Sequence, residues 1–178
     1  LTVLGNSIFA GTENNGIFVS PNNGSTWIES NNGIATGSGG RITVGMLATS
    51  GANLFAATRN YADHGSFMGG LYFSSDNGIT WQSRNRGLTD SSICFPQAFV
   101  QNGSMLFLGT TCGVFSSTDN GQNWSDAGGP GLTDVNIHSE LISGSNLFVG
   151  TDKGVFVSSN NGSTWSSTGS MNANTIVN

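Results

Sequence analysis

Between positions 59 and 67 the chain brings together Arg59, Tyr61, Asp63, His64 and Phe67, a set suited to holding a carbohydrate. An aromatic ring can lie against the apolar face of a sugar while guanidinium, carboxylate and imidazole groups bond its hydroxyls. Cleaving a glycosidic bond asks for two carboxylates facing one another across a cleft, about 5–10 Å apart. The acidic residues available are Glu13, Glu29, Asp63, Asp90, Asp126, Asp134, Glu140 and Asp152, with Asp76 and Asp119 belonging to a repeated turn. Asp90 and Asp134 each close the tetrapeptide Gly-Leu-Thr-Asp and read as turn formers. A Ser-His-Asp triad needs no adjacency in sequence, but there is no Gly-x-Ser-x-Gly elbow and no helix to follow one. His64 and His138 fall in different repeats, and no Cys/His spacing matches a zinc site. No cofactor is expected, because phosphate and dinucleotide loops need a strand-to-helix turn and glycine here serves hairpins.

What must position these residues is a repeat. Four octapeptides align without gaps: Ser20-Pro-Asn22-Asn-Gly24-Ser-Thr-Trp27, Ser74-Ser-Asp76-Asn-Gly78-Ile-Thr-Trp81, Ser117-Thr-Asp119-Asn-Gly121-Gln-Asn-Trp124 and Ser158-Ser-Asn160-Asn-Gly162-Ser-Thr-Trp165. They contain all 4 tryptophans of the chain. Such self-similarity marks a repeat architecture. Within each octapeptide the Asp or Asn side chain can take backbone N–H groups two residues on, and glycine allows positive φ at the tight point. The tryptophan is expected to bury a large apolar area between neighbouring sheets.

Two short apolar runs precede each octapeptide: Ser7–Thr12 with Gly16–Ser20, Asn53–Thr58 with Gly70–Ser74, Met105–Thr110 with Gly113–Ser117, and Asn146–Thr151 with Gly154–Ser158. Runs rich in Phe, Val, Ile and Thr, bounded by Gly and Asn, read as strands joined by hairpins. A longer upstream segment, such as Val135–Ile142, and a short one opening with the tryptophan complete four antiparallel strands, A to D. The prediction is an all-β chain, a β-propeller of four four-stranded antiparallel blades. It forms a single domain over 1–178, with repeats at about 1–40, 41–90, 91–132 and 133–170. On strand A, Glu140 would line the propeller channel, where a lone carboxylate is either functional or, more commonly, solvated.

The pattern Ser-x-Asp/Asn-x-Gly-x-Thr-Trp resembles the Asp-box, or BNR, repeat of sialidases, sortilin-type receptors, xyloglucanases, photosystem-assembly propellers and many secreted bacterial proteins. The resemblance covers nearly the whole chain and implies the propeller fold; those families share the box and not the activity. A sialidase of this type would need several arginines for the substrate carboxylate, a Tyr–Glu nucleophile pair and an acid/base Asp. Only Arg41, Arg59, Arg84 and Arg86 are present, and Arg41 is followed by Ile-Thr where that family has Ile-Pro.

The ends carry a second pattern. Residues 171–178 followed by 1–12 align without a gap to residues 132–151, so 171–178 would start the strand A that 1–4 complete. Three assemblies fit: a complete small propeller, half of an eight-bladed ring or a filament of copies joined head to tail, and a segment of a longer array. A chain that opens with Leu1 reads as a mature form or a piece of a longer protein.

Cys94 falls on strand A and Cys112 at the end of strand B of the third repeat. A hairpin pivoting on residues 101–104 sets residue 94 opposite about residue 111, within reach of a disulfide, with two buried thiols as the alternative. A net charge of −5 argues against nucleic acid or an anionic membrane as partner, and no apolar run is long enough to span a bilayer. The expected role is a non-catalytic extracellular structural or protein-interaction module, with head-to-tail self-assembly as one option, whose partners are copies of itself or other domains of a larger secreted protein. The alternatives are a carbohydrate-binding, lectin-like propeller and a fragment of a sialidase-like or other glycoside hydrolase.

Overall fold

The computed structural model describes residues 1–59, 69–88, 94–132 and 136–169. Four antiparallel sheets, each with its strands in chain order, account for the fold. The first comprises β1 (Thr2–Leu4), β2 (Ser7–Gly11), β3 (Ile17–Ser20) and β4 (Ile28–Glu29), and the second β5 (Val44–Ser50), β6 (Asn53–Thr58), β7 (Gly70–Ser74) and β8 (Gln82–Ser83). The third comprises β9 (Pro96–Asn102), β10 (Met105–Thr110), β11 (Gly113–Ser117) and β12 (Ser125–Asp126), and the fourth β13 (Ile137–Ser143), β14 (Asn146–Thr151), β15 (Gly154–Ser158) and β16 (Ser166–Ser167). These are four blades of β-propeller type, and the one helical piece among the described residues is a 3-10 turn at Ser38–Gly40. The chain divides into two compact units, Leu1–Asn85 and Arg86–Asn178. Each unit holds two blades.

Alternation explains how the blades pack. In the first unit Phe9 and Ile17 of blade 1 form one core with Leu54, Ala56, Tyr72 and Trp81 of blade 2. In the second, Phe107 and Val114 of blade 3 meet Ile137, Leu147, Val149 and Trp165 of blade 4. The side chain two positions along on the same strand serves the same sheet face, so each blade presents one apolar face forward and another backward. Glycine is required where strand B of one blade meets strand A of the next: a Cβ on Gly11 would collide with Val44, and one on Gly109 with Ile137. The threonine closing strand B also has a fixed task. The hydroxyls of Thr110 and Thr151 donate to the carbonyls of Gly113 and Gly154 across the B–C turn, both at 2.9 Å.

Strand A of blade 1 is only 3 residues long, against 7 in β5, β9 and β13. The residues expected to begin it, 171–178, lie outside the described residues.

Candidate functional site

Each box folds as a closed circuit of hydrogen bonds. In the second, the Ser74 hydroxyl donates to the Asp76 carboxylate at 2.8 Å and accepts the Gly78 N–H at 2.9 Å. Asp76 in turn accepts the backbone N–H of Thr80 at 2.9 Å and its hydroxyl at 2.6 Å. The third box does the same with Ser117, Gly121 and both amides of Asn123 around Asp119. In the first and fourth boxes Asn22 and Asn160 accept the N–H of Thr26 and Thr164 and donate to their hydroxyls, with Ser20 and Ser158 holding Gly24 and Gly162. The span differs from the two residues expected: serine and Asx each reach a backbone N–H four residues on. Glycine is also not alone in its conformation, because Asn23, Asn77, Asn120 and Asn161 have φ of 56, 58, 61 and 55°. Asparagine is among the few side chains that tolerate this region.

These bonds set the acidity of the box carboxylates. The Asn123 side-chain amide, aided by its backbone N–H and by Ser117, holds Asp119 down at about 2. The Thr80 hydroxyl and N–H hold Asp76 below the usual carboxylate value.

The tryptophan that ends the second box docks on the preceding blade. Trp81 donates its indole N–H to the carbonyl of Ser30 at 2.9 Å and its backbone N–H to Asn32 at 2.8 Å. Trp165 repeats this in the second unit, with Ala127 at 2.9 Å and Pro130 at 3.0 Å. The backbone N–H of Trp124 meets Arg86 at 2.9 Å. Trp81, Trp124 and Trp165 are 3%, 3% and 6% exposed, whereas Trp27 is 42% exposed.

Three other described carboxylates are held locally. Glu29 accepts the Asn31 amide at 2.8 Å, Asp126 accepts the Gly128 N–H at 2.7 Å, and Asp152 pairs with His138 at 2.5 Å within blade 4. Glu140 departs from the solvated carboxylate expected. Both its oxygens are buried without a hydrogen-bond partner. Burial pushes the group up to about 8, and the nearby backbone N–H of Gly109 on blade 3 offsets this only in part. The reason is register: Glu140 stands opposite Val149, the pairing that Leu47 makes with Ala56 and Phe99 with Leu108 in the sister blades. Among the described residues no group of three or more His, Cys, Asp and Glu could hold a metal ion.

Of the sugar-binding set only Arg59 is described, its backbone N–H donating to the Thr43 carbonyl at 2.8 Å. Tyr61, Asp63, His64 and Phe67 lie outside the described residues, as do Asp90 and Asp134. Cys94 and Cys112 form a disulfide with Cα atoms 5.2 Å apart. The hairpin turns on residues 103–104, pairing Asn102 with Met105, so the ladder runs two residues further along β10 than a pivot on 101–104 gives; the register shift between Ala98–Gly109 and Pro96–Thr110 takes back one of them and leaves Cys94 beside Cys112 rather than residue 111.

Sequence reasoning missed two asparagines. The side-chain oxygens of Asn31 and Asn85 accept the N–H groups of Ile17 and Leu71, each at 2.7 Å, locking the end of strand D to the start of strand C. Both open the same short signal, Asn-x-Gly-Ile/Leu, directly after strand D.

The BNR/Asp-box repeat family matches at residues 72–83, which take in the whole second box. No curated protein sequence matches the chain. Among solved structures, an ancestral GH74 enzyme is similar with a TM-score of 0.67 and 19% identity, over 95% of this chain and 23% of that one. An extracellular domain assigned to a one component system of B. thetaiotaomicron gives 0.67 and 16%, over 93% and 21%. The GH74 enzyme of Niastella koreensis gives 0.59 and 20%, over 92% and 28%. The chain thus spans less than a third of each, and at these identities the likeness is one of fold. The second box thus matches the BNR/Asp-box repeat, and the other three boxes repeat its sequence and hydrogen-bond circuit on blades of β-propeller type.

Proposed function

We propose that this chain is a non-catalytic extracellular propeller module that works as a scaffold and protein-interaction surface. The observation that carries the reading is the exposure of Trp27, 42% against 3–6% for its three sisters. An indole built into a docking turn and left open to solvent suits a protein partner, and tryptophan is a preferred anchor of such interfaces. Two further features support the absence of catalysis. The box carboxylates serve their own turns, and Glu140 is buried alone with no second carboxylate described beside it. The disulfide between Cys94 and Cys112 suits an oxidising compartment, and one similar fold is an extracellular domain.

Incubation of the purified chain with xyloglucan, sialyl oligosaccharides and aryl glycosides tests this. No release of reducing ends or aglycone above the blank is expected. Turnover that disappears in Glu140→Gln would overturn the reading.

A further inference from the structure

The two contacts between consecutive blades, one in each unit, follow a single plan. The forward face of one blade receives the backward face and box tryptophan of the next. On the receiving side stand Phe9 and Ile17 in blade 1, and Phe107 and Val114 in blade 3, all fully buried. On the inserting side stand Leu54, Ala56, Tyr72 and Trp81 in blade 2, and Leu147, Val149, Phe156 and Trp165 in blade 4. The indole then bonds the carbonyl of the residue whose own N–H closes strand D onto strand C, Ser30 in one case and Ala127 in the other.

Both halves of this plan recur without a counterpart among the described residues. Blade 1 carries the inserting set as Ile8, Ala10, Phe18 and Trp27, and none of the four is buried. Ile8 and Ala10 stand in strand B where blade 2 has Leu54 and Ala56, both 0% exposed. The first box gives the same sign. A Cβ on Gly78 would press on Phe9 and Ser30 of the neighbouring blade, whereas one on Gly24 would meet only its own Trp27.

Blade 4 carries the receiving set as Leu141, Phe148 and Val155. Leu141 is 62% exposed, although its equivalent Val100 packs against the core of the second unit. With Ser139, Glu140, Val149 and Gly150 these residues line an open cleft of about 350 Å³. The acceptor is present too. Thr168, whose N–H bonds Val155, holds the place that Ser30 holds against Ile17 and Ala127 against Val114.

We infer that the face of blade 1 bearing Trp27 seats on the face of blade 4 bearing Leu141 and Phe148 in a second copy of this chain, joining copies head to tail through a contact of the same kind as the internal ones. The inference deepens the scaffold reading and rests on it. The two faces match each other because each repeats a half of an interface this chain already makes twice, and a heterologous contact of that kind either closes a ring or runs on as a filament. A foreign partner would have to imitate a blade to satisfy both faces.

Sedimentation of the intact chain over micromolar to submillimolar concentration, beside Trp27→Arg and Leu141→Arg, tests the inference. Both replaced side chains are exposed, so both variants fold; circular dichroism verifies it. Wild type is expected to rise above the monomer mass with concentration, and each variant alone to stay monomeric. An equimolar mixture of the two variants should form pairs and nothing larger, because only the intact Trp27 face of one and the intact Leu141 face of the other remain. A wild type that stays monomeric throughout, or single variants that associate as wild type does, would overturn the inference. Neither result touches the absence of catalysis, which the glycoside assays decide separately.

Discussion

The indole N–H of Trp81 reaches back to the carbonyl oxygen of Ser30, 2.9 Å away and 51 residues earlier in the chain. The Ser30 hydroxyl answers by donating to the carbonyl of Gly78 at 2.5 Å, inside the box that Trp81 ends. One buried serine therefore clamps the box turn of blade 2 from both sides, and the ring it holds closes the core of the first unit. The box is a local turn in sequence and a long-range fastener in space.

That relationship separates tryptophans that look alike. Trp81→Ala removes a buried ring and its hydrogen bond, and should cost about 3–5 kcal/mol in urea unfolding. Trp165→Ala should fall in the same range. For Trp27→Ala, at low protein concentration, a smaller loss of about 1 kcal/mol is expected, because 42% of the residue is exposed and no hydrogen bond of its indole ties it to another blade among the described residues. Equal losses at Trp27 and Trp81 would contradict the docking scheme.

Acid should act first through the boxes that carry aspartate. Asp119 titrates at about 2 in the folded chain because Asn123 and Ser117 bond the ionised form, and Asp76 is lowered in the same sense by Thr80. A carboxylate depressed by folding adds stability that is complete above its ordinary value of 3.8 and is lost as pH falls toward about 2. The double variant Asp76→Asn, Asp119→Asn, which copies Asn22 and Asn160, should flatten the fall in melting temperature over that window. Unchanged acid melting in the double variant would show that other groups govern it.

Strands B and C, the box turns and the glycines at the hairpins were legible because each follows from side-chain period and turn chemistry within a few residues. The different fates of Trp27 and Trp81 were not, since Ser-Thr-Trp and Ile-Thr-Trp state nothing about whether a blade lies in front. Glu140 shows the same limit from the other side. Its neighbours Ser139 and His138 give the strand a polar look, and only pairing with Val149 reveals that it occupies an apolar position. The disulfide was readable to within one residue, because the hairpin turns on 103–104 instead of 101–104 and the register shift in β9 offsets half of that difference. The sugar-binding reading, by contrast, rests on residue types alone, because four of its five members lie outside the described residues.

The Cys94–Cys112 bond ties strand A to the end of strand B in blade 3 across a separation of 18 residues. Loop-closure entropy for a span of this size puts its loss at about 2–4 kcal/mol. Cys94→Ser, Cys112→Ser should lower the urea midpoint accordingly, and reduction of the wild type should reproduce most of the drop. If reductant leaves the midpoint where it was, the bond does not constrain the unfolded chain.

Glu140 should make the protein less stable as pH rises, the reverse of the box aspartates. Its carboxyl is pushed from 4.5 to about 8 by burial, so the folded chain holds the proton more tightly than the unfolded one. The penalty is absent below 4.5, grows as pH climbs toward about 8, and is complete above that. Leu47 fills the equivalent place in blade 2 and packs against the core there, which makes Glu140→Leu the natural replacement. The variant should gain about 2 kcal/mol or more over wild type at pH 8 and less at pH 5, as read from paired urea melts. Glu140→Gln should share the flat pH profile with a smaller gain, because its amide remains buried without a full set of partners. If Glu140→Leu proves less stable than wild type at pH 8, the ionised carboxylate is being met by a cation or donor when it forms, and the isolated buried acid is the wrong description.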